Sequence, residues 1–270
     1  MTVTAATTAR DNARDDYIEF CEAVRRLTGI DLLQYKRGQM ERRIRSFAGT
    51  RGETDLRRYL MRISGDPAER EAFLDRVTIN VSQLWRNPTE WDALARDVLP
   101  ELMRAGRISI WSAGSSYGAE AYTLAALCLE VSRSARPQVH GTDIDPRMVE
   151  LARKGAFSVA DARSAPAAAL ERWFDRTPDG YVAKPELRSI TSFETGDLLR
   201  MPFPRSRYDL VCCRNTVIYF TDDVRDELHA RLVASIRPGG YFLIGSTERV
   251  SRPQDVGLDV VRPFLYRRVA

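Results

Sequence analysis

The sequence predicts an α/β protein in which a doubly wound, Rossmann-like domain follows a small all-helical domain. Up to about Trp91 every segment has helical spacing of its apolar residues, whereas short strand-like segments alternate with helical ones after about residue 105. A chain of 270 residues accommodates one large domain and a smaller companion. We therefore assign residues 1–90 to the helical domain and 91–270 to the α/β domain.

Four helices are predicted in the N-terminal domain. Apolar residues recur at helical spacing in each one, and Gly29, Gly49 and Gly65 supply stop signals. The predicted helices are Tyr17–Leu27, Leu33–Gly49, Thr54–Ile63 and Ala68–Val77.

Five short apolar segments predict the strands of a parallel sheet with helices on both faces: 108–111, 138–141, 190–195, 208–213 and 241–245. Helical patterns at 119–132 and 224–236 separate the first pair and the last pair. Between residues 155 and 187 we expect a helix, Pro166–Trp173, and then an irregular or small β excursion. Residues 260–262 and 264–269 could add two edge strands as a hairpin.

Composition excludes several classes of protein. No apolar run approaches the roughly 20 residues that cross a bilayer, and the first residues lack the apolar core of a signal peptide. We therefore expect a cytoplasmic protein without membrane insertion. The four cysteines show no C-x-x-C spacing and only two histidines accompany them, which disfavours a zinc site and indicates reduced thiols.

A basic stretch lies between residues 36 and 51, where a single acidic residue, Glu41, stands among many cations. Such a run is either a solvated helix face or a docking surface for an acidic partner. Its basic residues are Lys36, Arg37, Arg42, Arg43, Arg45 and Arg51.

The loop after the first predicted strand has the features of a ligand-binding turn. Gly114 and Gly118 permit close approach of the backbone to a ligand at the carboxyl end of a parallel strand. Ser116 occupies the place of the second glycine of G-x-G-x-x-G, which disfavours a pyrophosphate. The alternative interpretation is a plain, tight connection from strand to helix.

An acidic residue follows the second predicted strand, at Asp143. In this position a carboxylate typically accepts hydrogen bonds from ribose hydroxyls. Asp145 could instead act as the N-cap of the helix that starts at Pro146. A nucleoside cofactor without a diphosphate fits both loops, and S-adenosylmethionine is the common one.

Several ordered motifs make the chain resemble the chemotaxis receptor methyltransferases, the CheR family. The segment 208–220 is similar to the family's strand that ends in C-R-N-x-x-I-Y-F, and 78–86 is similar to its T-x-N-x-T-x-F-F-R motif. Arg237-Pro-Gly-Gly240 resembles its P-G-G-Y stretch, and features near 29–43 resemble its helical domain. The resemblance spans residues 17–268.

The resemblance implies a helical domain joined to a methyltransferase domain that moves the methyl of S-adenosylmethionine to receptor glutamates, with S-adenosylhomocysteine as the product. It places Arg86 and Tyr219 beside the transferring methyl. It also favours docking of acidic receptor helices on the basic stretch. The cofactor contacts implied by the resemblance or by the loops are Asn80, Ser82, Arg86, Gly114, Glu120, Asp143, Asp197, Leu198, Arg214 and Asn215.

Each of these residues has a structural interpretation when taken singly: Asn80 as a helix cap, Asp197 as a turn former, Tyr219 as a packed aromatic. The sequence also departs from the family, since Ala119 and Ala121 replace residues of its G-E-E-P-Y-S loop. A module that senses S-adenosylmethionine or scaffolds a complex without turnover is therefore an alternative. Nucleic-acid methylation is disfavoured, because Arg214–Val217 replaces the Asn/Asp-Pro-Pro-aromatic turn.

Overall fold

The computed structural model describes residues 15–78, 80–132 and 136–269. These residues form two compact units, one of residues up to 78 with 219–221 and the other of residues from 80 to 218 with those from 222 onward. This division lies between residues 79 and 80, whereas the boundary predicted from the sequence lies at residue 90. The reason is that residues 80–87, although close in sequence to the helices, make their hydrogen bonds within the second unit.

The first unit is helical, as predicted. Asp15 caps its first helix by accepting from the Tyr17 backbone N–H, and Gly29 ends that helix with a φ of 82°. Phe20 lies between Tyr59 and Phe73 in the core, with ring centroids 6.3 and 5.8 Å away. The helices are α1 (Asp16–Thr28), α2 (Arg37–Thr50), α3 (Leu56–Gly65) and α4 (Pro67–Thr78).

The prediction of one continuous helix from Leu33 to Gly49 is wrong. Residues Leu32–Gln34 form a short 3-10 turn, and Tyr35 is extended. Tyr35 pairs with Phe220 through an isolated antiparallel bridge, and their rings lie 5.0 Å apart. This pairing draws Tyr35 out of helical geometry, so α2 begins only at Arg37.

The second unit contains a seven-stranded sheet of order β6-β2-β1-β7-β8-β10-β9. All pairings from β6 to β8 are parallel, while β10 runs antiparallel to β8 and β9. The strands of this sheet are β1 (Arg107–Ala113), β2 (Arg136–Asp143), β6 (Thr191–Thr195), β7 (Tyr208–Cys213), β8 (Ile236–Ile244), β9 (Leu258–Arg262) and β10 (Leu265–Arg268).

Helices pack around this sheet, and every residue of β7 is buried. Cys212 and Cys213 point to opposite faces and are nevertheless both buried free thiols, because both faces are covered. The helices are α5 (Pro88–Ala93), α6 (Leu99–Leu102), α7 (Ala119–Val131), α8 (Pro146–Lys154), α9 (Ala167–Trp173), α10 (Pro185–Ile190) and α11 (Asp222–Ser235), with a π-helical turn at Leu94–Val98.

The β excursion is a separate antiparallel sheet of order β3-β5-β4, built from Ala156–Ser158, Gly180–Ala183 and Phe174–Thr177. We call it the small sheet. The C-terminal hairpin was predicted as two edge strands, but only β9 is an edge, because β10 inserts between β8 and β9. No described helix is both long and apolar enough to cross a membrane.

Candidate cofactor site

The candidate site lies where the strand order of the large sheet reverses. From β1 the chain proceeds to β2 and β6 on one side and then to β7 and β8 on the other. In open α/β sheets such a switch point opens a crevice beyond the carboxyl ends of the strands. Gly114 ends β1 there with a φ of 79°, and a Cβ on it would meet the Thr216 Oγ1 atom at 2.5 Å. Only glycine fits this closely packed, left-handed position.

Asp143 ties the loop after β1 to the end of β2. Its carboxylate accepts from the backbone N–H of Ser116 at 2.7 Å and of Asp145 at 3.0 Å. Burial raises the pKa of Asp143. Each carboxylate oxygen retains a second lone-pair direction, so a ribose hydroxyl can still donate to it. Asp145 caps α8 through the Arg147 backbone N–H, which confirms the other interpretation for that residue.

A buried ion cluster joins the ends of β7 and α7. The Arg214 guanidinium lies 2.5 Å from the Glu90 carboxylate and 3.3 Å from that of Glu120. Glu120 also accepts from the Ser112 hydroxyl at 2.8 Å. The Trp91 ring lies 4.4 Å from the Arg214 guanidinium carbon. Glu120 and Arg214, named separately from the sequence, thus belong to one network.

The charges of this cluster depend on one another. Burial alone would lower the pKa of Arg214, but the carboxylates of Glu120 and Glu90 raise it. Burial raises the pKa of Glu120 against the opposing effect of the guanidinium. Glu90 was missed from the sequence, because nothing local distinguishes it from other acids in a first helical turn.

Residues 80–87 form an irregular segment, where the sequence predicted helix. Its backbone groups bond to a turn and to a helix of the second unit, so they do not form helical hydrogen bonds. The Leu84 N–H donates to the Asp161 carbonyl, and the Trp85 N–H donates to the Thr123 hydroxyl, both at 3.0 Å. At one end of the segment the Asn80 amide donates to the Asp145 carboxylate at 3.2 Å.

Arg86 occupies a strained part of this segment. Its neighbours Trp85 and Asn87 have φ values of 51° and 62°. Its carbonyl accepts from the Trp91 indole N–H at 2.8 Å and from Arg214 at 2.9 Å. The backbone is therefore fixed from two sides, while the half-buried guanidinium donates to the Val81 carbonyl. Strained backbone that its surroundings hold in place is frequent at functional sites.

Asn215 follows β7 with a φ of 58°. Its backbone N–H, with those of Val217 and Gly245, donates to the buried carboxylate of Glu248 at 2.7–3.1 Å. Burial raises the pKa of Glu248, and these backbone donors oppose the shift. Glu248 joins the ends of β7 and β8. It was missed as a site residue, although an acidic residue in the loop after a buried strand is a usable signal.

Asp197 and Leu198 follow β6. The Asp197 carboxylate accepts from the Leu199 backbone N–H at 2.9 Å, which is the turn-forming role considered from the sequence. The Gly196 N–H before it donates to the Asp143 carbonyl at 2.8 Å. Leu198 is buried. The loop therefore lies beside Asp143, while the Asp197 side chain contacts its own turn.

Tyr219 belongs to the first unit. Its carbonyl accepts from the Lys36 backbone N–H at 2.8 Å, and its ring lies 5.9 Å from the Arg43 guanidinium carbon. There it lines a cleft of about 320 Å³, which we call the basic cleft. The lining residues are Lys36, Gln39, Met40, Arg42, Arg43, Ser46, Arg76 and Tyr219.

The residues at the switch point fit S-adenosylmethionine. The buried hydroxyls of Ser115 and Ser116 have no hydrogen-bond partner among the described residues, and such groups usually have one. Carboxylates of Asp143 and Glu120 match ribose hydroxyls and a cationic amino group. No pyrophosphate-binding glycine pattern is present among residues 112–120, so a nucleoside without a diphosphate suits the loop.

Comparisons with known proteins cover both units of the chain. Residues 80–260 match the family model described as the CheR methyltransferase SAM-binding domain, and residues 15–78 match its all-alpha domain. A chemotaxis protein methyltransferase of Listeria monocytogenes is 32% identical over 253 residues, covering 93% of this chain and 96% of the relative. Chemotaxis protein methyltransferase 1 of Pseudomonas aeruginosa is 29% identical, covering 90% and 93%.

Proposed function

Since the chain belongs to the CheR methyltransferase family and uses S-adenosylmethionine for methyl transfer in chemotaxis, we propose that it esterifies glutamate side chains of a chemoreceptor-like protein. The products are glutamyl methyl esters and S-adenosylhomocysteine. The observation that carries this proposal is Arg86, whose backbone is fixed at the switch point while its guanidinium keeps donors for a carboxylate. We place this reaction in the cytoplasm.

The chemistry requires alignment more than proton transfer. S-adenosylmethionine supplies an electrophilic methyl group on a sulfonium. A glutamate with a pKa of about 4.3 is already ionised at neutral pH, so no general base is needed. Well-oriented reactants lower a barrier by about 7–11 kcal/mol. Arg86 presents a planar two-donor fork that can hold the carboxylate, and Tyr219 is assigned by the resemblance to flank the methyl.

The basic cleft supports an acidic protein substrate. Lys36, Arg42, Arg43 and Arg76 line it, and none of its lining residues is an Asp or a Glu. Arg37 and Arg45, which also belong to the basic stretch, are instead paired with acids of the first unit. We therefore assign docking of glutamate-bearing receptor helices mainly to Lys36, Arg42 and Arg43. Such docking should weaken with salt, because exposed charges are screened over about 8 Å at physiological ionic strength.

The experiment combines binding with transfer. Isothermal titration measures affinity for S-adenosylmethionine and S-adenosylhomocysteine, and receptor membranes with radiolabelled donor are then scored for label released by alkali. Carboxyl methyl esters hydrolyse in alkali, so base-labile product is expected. Alkali-stable label would refute esterification, and tight cofactor binding without any label would favour the alternative of a sensor or scaffold without turnover.

Variants test the assigned roles. Arg86→Ala should lower kcat/KM for the protein substrate about 10- to 100-fold, since hydrogen bonds to charged groups contribute about 1.5–3 kcal/mol. Tyr219→Phe should also lower turnover. Arg104→Ala, at an exposed arginine of the second unit, is the matched control and should leave turnover unchanged. Near-normal turnover in both Arg86→Ala and Tyr219→Phe would show that the roles are wrongly assigned.

A further inference from the structure

Tyr117 connects three parts of the second unit. It stands in the loop after β1, next to Ser116, whose N–H donates to Asp143. Its hydroxyl lies in hydrogen-bond contact with the carbonyl oxygen of Ser82 and lies 2.9 Å from the Asp161 carboxylate. The loop after β1, the segment 80–87 and the turn that follows β3 of the small sheet therefore meet at one oxygen atom.

Asp161 is itself fixed by the small sheet. Its other carboxylate oxygen accepts from the backbone N–H of Ser158 at 2.9 Å and from the Ser158 hydroxyl at 2.7 Å. Ser158 is the last residue of β3. The Asp161 carbonyl accepts from the Leu84 N–H at 3.0 Å. Asp161 thus holds the segment 80–87 both directly and through Tyr117.

The Tyr117 hydroxyl has one hydrogen and faces two acceptors. A neutral phenol donates once, and both the Ser82 carbonyl and an ionised Asp161 can only accept. Burial, followed by the hydrogen bond to Asp161, raises the pKa of Tyr117, so the phenol stays protonated at neutral pH. The acceptor that does not receive the phenol hydrogen, either the Ser82 carbonyl or the Asp161 carboxylate, faces a lone pair of the phenol oxygen.

We propose that Tyr117 is a positioning residue, and that the sharing of its single proton between Ser82 and Asp161 sets how firmly the segment 80–87 is held beside the cofactor loop. The proposal rests on the cofactor site, because Ser82 and Arg86 belong to that segment. The side chain of Tyr117 acts through the Ser82 backbone and is not assigned to the reacting atoms.

Tyr117→Phe keeps the ring and removes the proton. Affinity for S-adenosylhomocysteine should fall about three- to tenfold, in keeping with the loss of one hydrogen bond of about 0.5–1.5 kcal/mol. Isothermal titration provides the measurement, and thermal unfolding checks that the variant folds. Tyr181→Phe, in which a tyrosine of β5 loses its bond from Arg176, is the matched control and should bind normally.

Asp161→Asn is expected to act in the opposite direction. The asparagine oxygen can keep both bonds from Ser158, and its amide can donate to the Tyr117 oxygen. The Tyr117 proton is then committed to Ser82, so affinity should stay equal to that of the wild type or increase up to about threefold. In the Tyr117→Phe background the change should bring no gain. Asp175→Asn, at an exposed carboxylate of β4, controls for loss of a charge.

The two variants separate positioning from mere stability. A residue that only stabilises the fold would weaken binding in both variants, roughly in line with their melting temperatures. Normal affinity in Tyr117→Phe, or a loss in Asp161→Asn as large as in Tyr117→Phe, would overturn the proposal. The readout is cofactor binding without a protein substrate, so it stays informative even if the methylated group is not a glutamate.

Discussion

Arg214 at the end of β7 and Arg37 at the start of α2 carry the same charge in very different surroundings. The Arg214 side chain is 2% exposed and contacts Glu90, Glu120, the Arg86 carbonyl and the Trp91 ring. The Arg37 side chain is 52% exposed and pairs with Asp15 and Glu41. Burial therefore fixes the partners of one arginine, while water competes for those of the other.

This difference shows that a count of charges in the sequence does not tell which charges are paired in the fold. The stretch 36–51 looks uniformly basic, yet Arg37 and Arg45 are partly neutralised by acids of their own unit. Arg42 and Arg43 form no ion pair among the described residues, and both line the basic cleft. Arg214 stands alone as a cation between residues 208 and 224, yet it pairs with two buried carboxylates, those of Glu90 and Glu120.

The largest effect should come from removing the buried cation. Arg214→Met leaves Glu90 and Glu120 without their counter-charge, and breaking a buried ion pair from one side costs about 3–5 kcal/mol. Urea unfolding measures the free energy. Arg96→Met removes an exposed arginine paired with Asp97 and serves as the control, with little change expected. Equal free energies of unfolding in the two variants would contradict the expected difference between buried and exposed arginines.

Glu248→Gln tests whether a buried carboxylate must be a double acceptor when its hydrogen bonds come from backbone N–H groups. Any orientation of the amide turns an N–H₂ group toward a backbone N–H of Gly245, Asn215 or Val217. An unsatisfied buried group costs about 1–3 kcal/mol, so unfolding free energy should fall by that amount. A variant as stable as the wild type would show that the loops rearrange freely.

His229 is a buried ionisable residue whose ring packs against Phe242. Its two ring nitrogens have no hydrogen-bond partner among the described residues, and burial lowers its pKa from 6.5 to about 4. Its folded form stays neutral while the unfolded chain binds a proton below pH 6.5. The free energy of unfolding should therefore decrease as the pH is lowered, by about 1 kcal/mol between pH 7 and 5.5.

In His229→Leu this contribution to the pH dependence should disappear, which urea unfolding at several pH values can measure. His140→Gln, at the only other histidine of the sequence, is the control and should retain it. An unchanged pH slope in His229→Leu would show that the ring is hydrated or paired in solution.

The smallest effect should come from the exposed arginines. Reversing Arg42 or Arg43 to glutamate should weaken receptor binding about two- to fivefold for each charge removed and reduce its salt dependence. Arg37→Gln is the matched control, because its guanidinium is already occupied by Asp15 and Glu41. Binding that is indifferent to salt and to both reversals would exclude docking on the basic cleft.

Much of the second unit was predictable because local pattern fixed it. The strand predicted at 208–213 is observed at those residues, and the helix predicted at 119–132 is observed at Ala119–Val131. A buried strand needs an apolar run whatever its neighbours are, and Gly114 at a positive φ and Asp145 as an N-cap meet requirements of their own backbone. Each of these features depends on residues within one short segment, so the sequence of that segment is enough to predict it.

The tertiary structure alone decided what depends on distant partners. Arg214 meets Glu90 and Glu120 across separations of 124 and 94 residues. Residues 80–87 are irregular because groups distant in sequence, those of Thr123 and Asp161, accept their backbone hydrogen bonds. The insertion of β10 between β8 and β9 has the same origin. Sequence thus determined the elements and the character of the loops, while long-range pairing of polar groups decided which side chains share a site.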